Sequence, residues 1–351
     1  LFKIKQEVKN NTSSKINLYP YSQITRNKKP DDVMGFYILH EGFIGVFDGE
    51  LKEDDYDDIK DKKIVRNSDN GWLGITDKYW VTAIVPPKDK NFKSTFLYKD
   101  NYRANYILNS PVTINPKSTS SNEVRLFVAA KEVETVDGYA ESENIEKFDL
   151  TIDWGWFYFF TKPLFFVIDY LFKFSGNFGI AIVLITLAIR IIFFPLANYS
   201  FRSMAKMKAV QPEMTRLKEL HKDDKVKLQQ EMMALYRKEK INPASGCLPI
   251  LIQIPFFFAI YKMLFISLEM RHQPFFGWIQ DLSAKDPTSI FNLFGLIPWD
   301  PPGFLIIGIW PILMGLSMYV QQKLNPAPAD PIQAKIFAFF PLFLTIILAP
   351  F

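Results

Sequence analysis

The sequence holds a single cysteine, Cys247, in 351 residues. No disulfide can close within it, and no Cys-x-x-Cys or Cys/His spacing offers a structural metal site. Histidine is almost as scarce: His40, His221 and His272 lie in three separate segments. No Gly-x-Ser-x-Gly, paired-histidine or phosphate-loop motif occurs. Nothing local therefore offers a covalent catalyst, a cofactor or a metal, and the expectation is a protein that is not an enzyme. Large net charge is missing too. The 41 Lys/Arg against 37 Asp/Glu leave +4, too little and too localised to argue for DNA as a partner.

That balance conceals two unlike halves. Residues 1–155 carry 22 basic and 25 acidic residues, and residues 156–351 carry 19 and 12. The second half is rich in apolar runs. A membrane helix needs about 20 mostly apolar residues, and four runs qualify: 178–197, 247–268, 303–319, and 336–351 at the end of the chain. Each contains proline, which membrane helices tolerate. The connection 198–246 carries eleven Lys/Arg, whereas 269–302 carries two, Arg271 and Lys285. Cytoplasmic loops are the basic ones. Residues 198–246 and 323–335 are thus expected in the cytoplasm, with 269–302 and residues 1–155 across the membrane. The opening LFKIKQ lacks an initiator Met, and ILAPF ends inside an apolar run. The chain is expected to be part of a longer protein with an export signal or anchor ahead of it.

Ahead of the first span lies WGWFYFFTKPLFFVIDYLFKFSG, interrupted by Lys162, Asp169 and Lys173. Trp154, Trp156 and Tyr158 are residue types of the membrane interface. Residues 151–176 are read as a helix lying in the outer interface, with a fifth span as the alternative. Residues 1–150 are read as an antiparallel β-sandwich, the later part of a larger one. Strand-like runs fall at 33–40, 42–49, 79–86, 94–99, 105–109 and 123–130. Asp48-Gly49 and Asp137-Gly138 read as turns. EDDYDDIKDKK, residues 53–63, reads as a solvated loop in preference to a calcium loop, since it lacks the EF-hand glycine and spacing. Asn10-Asn11-Thr12 fits a glycosylation sequon.

In residues 200–220 the apolar positions 204, 207, 210, 214, 217 and 220 follow helical spacing. A second helix, 225–240, places Leu228, Met232, Leu235 and Tyr236 on one face. Together they predict a helical hairpin within 198–246. Five of the ten methionines lie here: Met204, Met207, Met214, Met232 and Met233. Flexible Met suits surfaces that greet varied apolar segments, and equally suits packing the two helices together. The lysines suit anionic lipid heads or ribosomal RNA.

Arg190 stands alone as a charge inside the first apolar run, with Thr186 four residues earlier on the same helix face. Two readings stand. The side chain snorkels about 10 Å of helix rise to the cytoplasmic interface, or it lines a wet cavity within the bundle. Further polar residues are Gln253 and Lys262 in the second run, and Gln321 and Gln322 at the end of the third. Lys262, near the outer end, reads as snorkelling, and Gln253 as an interhelical hydrogen bond. No carboxylate sits in any span, which argues against a proton relay or cation-coupled pump.

The runs NFGIAIVLITLAIRIIFFPLANYSFRSMAKMKAVQPEM and EMMALYRKEKINPASGCLPILIQIPFFFAIYKML resemble the core of the YidC membrane insertases. FFGWIQDLSAKDPTSIF, MYVQQKLNP, GWLGITDKYW and LFVAAKEVETVDGY extend the resemblance over nearly the whole chain. It implies a periplasmic β-sandwich followed by a transmembrane helical bundle with a cytoplasmic hairpin, in a bacterial inner membrane. It also implies a hydrophilic groove, open to the cytoplasm and to lipid, whose arginine corresponds to Arg190. Thr186 and Gln322 sit at positions similar to groove-lining residues. The family's anchor helix, fifth core helix and basic tail have no counterpart in this sequence. The implied activity is insertion and chaperoning of nascent membrane proteins, alone or beside a Sec translocon, with membrane lipids and the ribosome as further partners. No cofactor is implied. A small-anion transporter using Arg190, or a membrane-anchored binding module working through its outer sandwich, are the rival readings.

Overall fold

The computed structural model describes residues 1–31, 33, 39–88, 90–221, 224–240, 242, 248–284, 286, 288–299, 302, 307–324 and 331–348. The expected strand at 33–40 falls largely outside them, as do Cys247, Lys285 and the first residues of the third expected span. The chain divides into two compact units. One comprises Leu1–Lys162 with Ala259–Glu269, and the other Pro163–Phe258 with Met270–Phe351.

Among the described residues the first unit holds twelve strands. They are β1 (Phe2–Lys9), β2 (Ile16–Leu18), β3 (Tyr21–Arg26), β4 (Gly42–Phe47), β5 (Glu50–Asp55), β6 (Ile64–Ser68), β7 (Gly71–Thr76), β8 (Trp80–Val85), β9 (Phe92–Lys99), β10 (Asn101–Leu108), β11 (Val112–Ile114) and β12 (Thr119–Ala130). Sheet order is β1-β12-β8-β7-β4-β5 in the larger sheet and β3-β10-β9-β6 in the smaller, with β11-β2 as a ribbon. The pairings are antiparallel, as β4 with β7 and β9 with β10 illustrate. Burying the inner faces of both sheets produces one aromatic core in which Phe43, Phe92, Phe96, Tyr102 and Tyr106 are at most 1% exposed. Edge-to-face and tilted ring pairs fill it, with centroids 4.9 Å apart for Phe43–Phe96 and for Tyr56–Tyr102. This is the expected sandwich.

Several local expectations change. Strands start before residue 32: FKIKQEVK alternates apolar with charged residues and forms β1, paired residue for residue with β12. Asp48-Gly49 does close a two-residue hairpin, with φ of 50° and 79° and Phe47 opposite Glu50. Asp137-Gly138, by contrast, lies inside helix α2 (Val133–Ser142). The charged run 53–63 is not a loop. It ends β5 and forms α1 (Tyr56–Asp61), whose Tyr56 and Ile59 are spaced three apart and face the core. Asn10 is unsuited to glycosylation, because its amide is buried and donates to the carbonyls of Ser14, Ile114 and Asn115.

Beyond the sandwich the chain is helical: α3 (Tyr158–Ser175), α4 (Phe178–Ile192), α5 (Phe194–Ala209), α6 (Gln211–Leu220), α7 (Lys225–Lys238), α8 (Leu248–Ile266), α9 (Ile309–Leu324) and α10 (Pro331–Leu348). The helix expected within 151–176 forms as α3, which begins later because Thr151, Ile152 and Trp154 are buried in the first unit. The expected first span is not one helix. Its α4 and α5 meet at Phe193 with a bend of 60°. The long helix expected at 200–220 is likewise broken, at Val210, because Pro212 opens α6. Among the described residues no single helix is long and apolar enough to cross a membrane. The bent pair α4–α5 passes that test together, and Leu251–Ile266 and Lys335–Ile347 are shorter apolar helical stretches.

Candidate functional site

The bend around Arg190 follows from local sequence. The Asn177 side chain caps α4 by accepting from the Ile180 N–H at 3.1 Å. Phe178, Ala181 and Ile185 then fall on one stripe and are buried. Phe193 donates its N–H to the Ile189 carbonyl at 3.0 Å and accepts from Ala197 at 2.9 Å, so it belongs to both helices. Pro195, in the first turn of α5, has no N–H and prevents α4 from continuing straight. Arg190 thereby occupies the last turn of α4, where the unpaired carbonyl end of the helix favours a cation.

Thr186 and Arg190 are both exposed, one turn apart, away from the packed stripe. The Thr186 hydroxyl donates to the Ile182 carbonyl at 2.8 Å, which satisfies it within its own helix. Arg190 has no ion-pair partner among the described residues. Gln322, on α9, is half-buried. Its neighbour Gln321 instead lines an open cleft of about 630 Å³, together with Phe201 of α5 and Leu313, Leu316, Ser317, Val320 and Leu324 of α9. The cleft is mostly apolar, with Ser317 and Gln321 as its polar points. Its lining includes none of Arg190, Thr186, Gln322 or the five methionines, although Gln321 is among the polar residues noted in the sequence.

The five methionines do not share one environment. Met214 on α6 is buried at 6% exposure. Met204 and Met207 on α5 and Met232 on α7 are half-buried, and Met233 is 46% exposed. The face of Leu228, Met232, Leu235 and Tyr236 is the half-buried one on α7, as its spacing predicts.

On the loop that follows α8, Asp281 is the organising residue. Its carboxylate accepts from the backbone N–H of His272 at 2.9 Å and of Ser283 at 2.8 Å, and from the Ser283 hydroxyl at 2.7 Å. Nδ1 of His272 stands 2.9 Å away. Burial pushes this carboxyl up, but the bonds from Ser283 and His272 outweigh it and hold it down to about 2. The loop so fixed carries Phe275 onto Gly179 of α4, where a Cβ would lie 2.1 Å from the ring. Only glycine admits that approach.

One expectation is overturned. Lys262 does not snorkel. It is 9% exposed, and its ammonium lies 2.7 Å from Oδ2 of Asp153. An unpaired ammonium is too costly to bury, and here a carboxylate distant in sequence offers a shorter route than solvent. The missed signal was a lone cation in one apolar segment and a lone anion just ahead of another, both assigned to the outer side. Among the described residues no group of three or more His, Cys, Asp or Glu could hold a metal ion.

Comparison with known proteins adds to this geometry. Residues 170–351 match the family model described as 60Kd inner membrane protein, and residues 1–167 match the YidC periplasmic domain. A protein of Pelagibacter ubique (strain HTCC1062) named membrane protein insertase YidC is 62% identical over 351 residues, which is 100% of this chain and 63% of that protein. A protein of the same name from Brucella suis biovar 1 (strain 1330) is 50% identical over 358 residues, covering 100% of this chain and 58% of its own length. The chain thus spans roughly three-fifths of these relatives. A solved structure described as an active YidC insertase with its first transmembrane domain resolved overlaps 88% of this chain and 81% of its own, at 19% identity and a TM-score of 0.42.

Proposed function

The chain belongs to the 60Kd inner membrane protein family, with a YidC periplasmic domain ahead of its helical region, and from that premise we propose that it works as an insertase and chaperone for nascent membrane proteins. The observation that carries the reading is Arg190 with Thr186, one turn apart on the exposed side of α4, at the break of a bent helix pair. A client must move a short polar tail across an apolar slab, at several kcal/mol for each unsatisfied polar group. A cation at half depth attracts an acidic tail, and more strongly where the dielectric is low. No covalent step is needed.

In this reading α4 with the first turn of α5, bent at Phe193, is the first span over 178–197, the rest of α5 belongs to the arm, and the runs at 247–268, 303–319 and 336–351 are the other spans. Thr186, Arg190 and Gln322 line the groove. The cleft between Phe201 and α9 offers a greasy flank along which a client's apolar segment leaves. The arm α5–α7 faces the cytoplasm, where Met204, Met207, Met232 and the exposed Met233 greet clients while Met214 holds the arm together. Its eleven basic residues over 198–246 suit a ribosome or anionic lipid. A Sec translocon is a further partner for longer clients. An anion transporter would not need this arm, which favours the insertase reading.

The test is insertion of a single-span client with an acidic tail into vesicles that carry the whole protein. Arg190→Ala is expected to lower insertion about ten-fold, the change that about 1.4 kcal/mol produces, and Arg190→Lys to retain most of it. Equal insertion by wild type and Arg190→Ala across several clients would remove the groove charge from the mechanism.

A further inference from the structure

The end of α8 is held to the first unit by a stripe of contacts that insertion chemistry does not use. Ala259, Met263 and Ile266 recur at helical spacing, and all are buried. Three polar or charged contacts follow the same stripe. Lys262 pairs with Asp153 at 2.7 Å. The Lys78 ammonium lies 4.1 Å from the centre of the Phe265 ring. Glu269 accepts from the Val133 N–H at 3.1 Å, at the start of α2, where a carboxylate suits the helix end.

Asp153 is a prepared receptor. Its Oδ1 accepts from the Gly155 N–H at 3.0 Å, and its Oδ2 accepts from the His40 N–H at 2.8 Å as well as from Lys262. Gly155 adopts φ of 73°, and a Cβ there would lie 3.2 Å from Cε of Lys262 and 3.4 Å from Cγ. The turn after Asp153 thus leaves room for the lysine stem that a side chain at 155 would crowd, as well as meeting its charge. Lys131 is buried nearby and donates to the Thr76 hydroxyl at 3.0 Å.

We propose that Lys262 is a positioning residue: through Asp153 it registers the last turns of α8 on the β unit and fixes the rotation of that helix about its own axis. A purely apolar stripe tolerates a slip of three or four residues, because that shift returns a similar face to the same side. An ion pair at 2.7 Å backed by two backbone N–H groups does not. The inference stands without the insertase reading, since it concerns only the seating of the helix.

The test is hydrogen exchange in the whole protein, reconstituted in bilayer discs. Lys262→Met and Asp153→Asn are each expected to speed exchange of the amides 263–269 about ten-fold or more, while β4 and β7 keep their protection. The double variant is expected to exchange no faster than the faster single one, because the two side chains act as one unit. Lys262→Arg should stay within about three-fold of wild type, since it keeps the charge. Wild-type exchange in both single variants would overturn the proposal. So would fully additive effects in the double variant, or equal loss of protection in β4 and β7, which would make the pair a support of the sandwich and not a register for α8.

Discussion

In the β unit Phe43, Phe96 and Trp72 are fully buried, whereas in the helical unit Ile191, Ile192 and Phe339 are 64, 70 and 68% exposed. Both regions are rich in the same residue types. The sandwich turns its apolar side chains on one another, and its polar strands face outward. The apolar helices α4, α8, α9 and α10 turn many of theirs outward, and carry polar residues at points such as Thr186, Arg190 and Gln321, while the charges concentrate on α5–α7. The same hydrophobic effect explains both if the surroundings differ. A sandwich in water must build its own apolar interior. A helix in lipid already has one, so its packing is decided by small residues, close approaches such as Phe275 on Gly179, and paired charges.

The largest expected effect lies in the sandwich. Phe96→Ala removes a ring that touches Phe43 and Phe47 and should destabilise the β unit by about 3–5 kcal/mol. Tryptophan fluorescence during urea unfolding of the whole protein would read it. A loss below about 1 kcal/mol would mean that the core collapses around the gap, against the close packing described here.

A middle-sized effect comes from a buried charge. Burial pushes the Lys131 ammonium down to about 8, against the pull of Asp153, Asp77 and Glu41. The unfolded chain keeps that proton to its ordinary value of 10.5. Between pH 8 and 10 the unfolded state therefore binds more protons, and stability should rise with pH across that window. Below pH 8 both states are protonated and the cost of burying the charge is fully present. Tyr56, whose burial pushes its hydroxyl up, opposes the trend only above about pH 10. Urea midpoints across the window should rise in wild type and stay flatter in Lys131→Met.

The smallest effect is expected on the helices. Ile191→Ala should change stability by less than about 0.5 kcal/mol in a bilayer, because lipid fills the space. In the sandwich a comparable truncation leaves a cavity. If Ile191→Ala costs as much as a core deletion, its side chain packs against protein, and the contrast between the two regions fails at that helix.

Legibility in the sequence followed the same division. Strands β4, β8, β9, β10 and β12 were readable because each carries its own pattern of apolar residues. The alternation in FKIKQEVK was equally plain, although β1 has no buried face to reward it. What escaped was decided at long range. Tyr56 and Ile59 make a helix of a charged run only because a core lies beneath them. Asp137-Gly138 lies in a helix whose Asp137 pairs with Lys162. Lys262 finds Asp153 across more than a hundred residues of chain. The Arg190–Thr186 stripe was legible because both residues sit on one helix. The break at Phe193 could have been read from Pro195.

The seam near Gly155 also bears on how this protein is cut. Thr151, Ile152 and Trp154 are buried in the β unit, and Asp149 and Asp137 hold Lys162 in the next helix. A deletion that stops at residue 150 is not a clean excision. It strands three core side chains, leaves Lys162 without either carboxylate, and unseats the turn that receives Lys262. Truncations meant to ask whether the outer domain is dispensable should carry a junction chosen around that seam; otherwise they measure a torn edge.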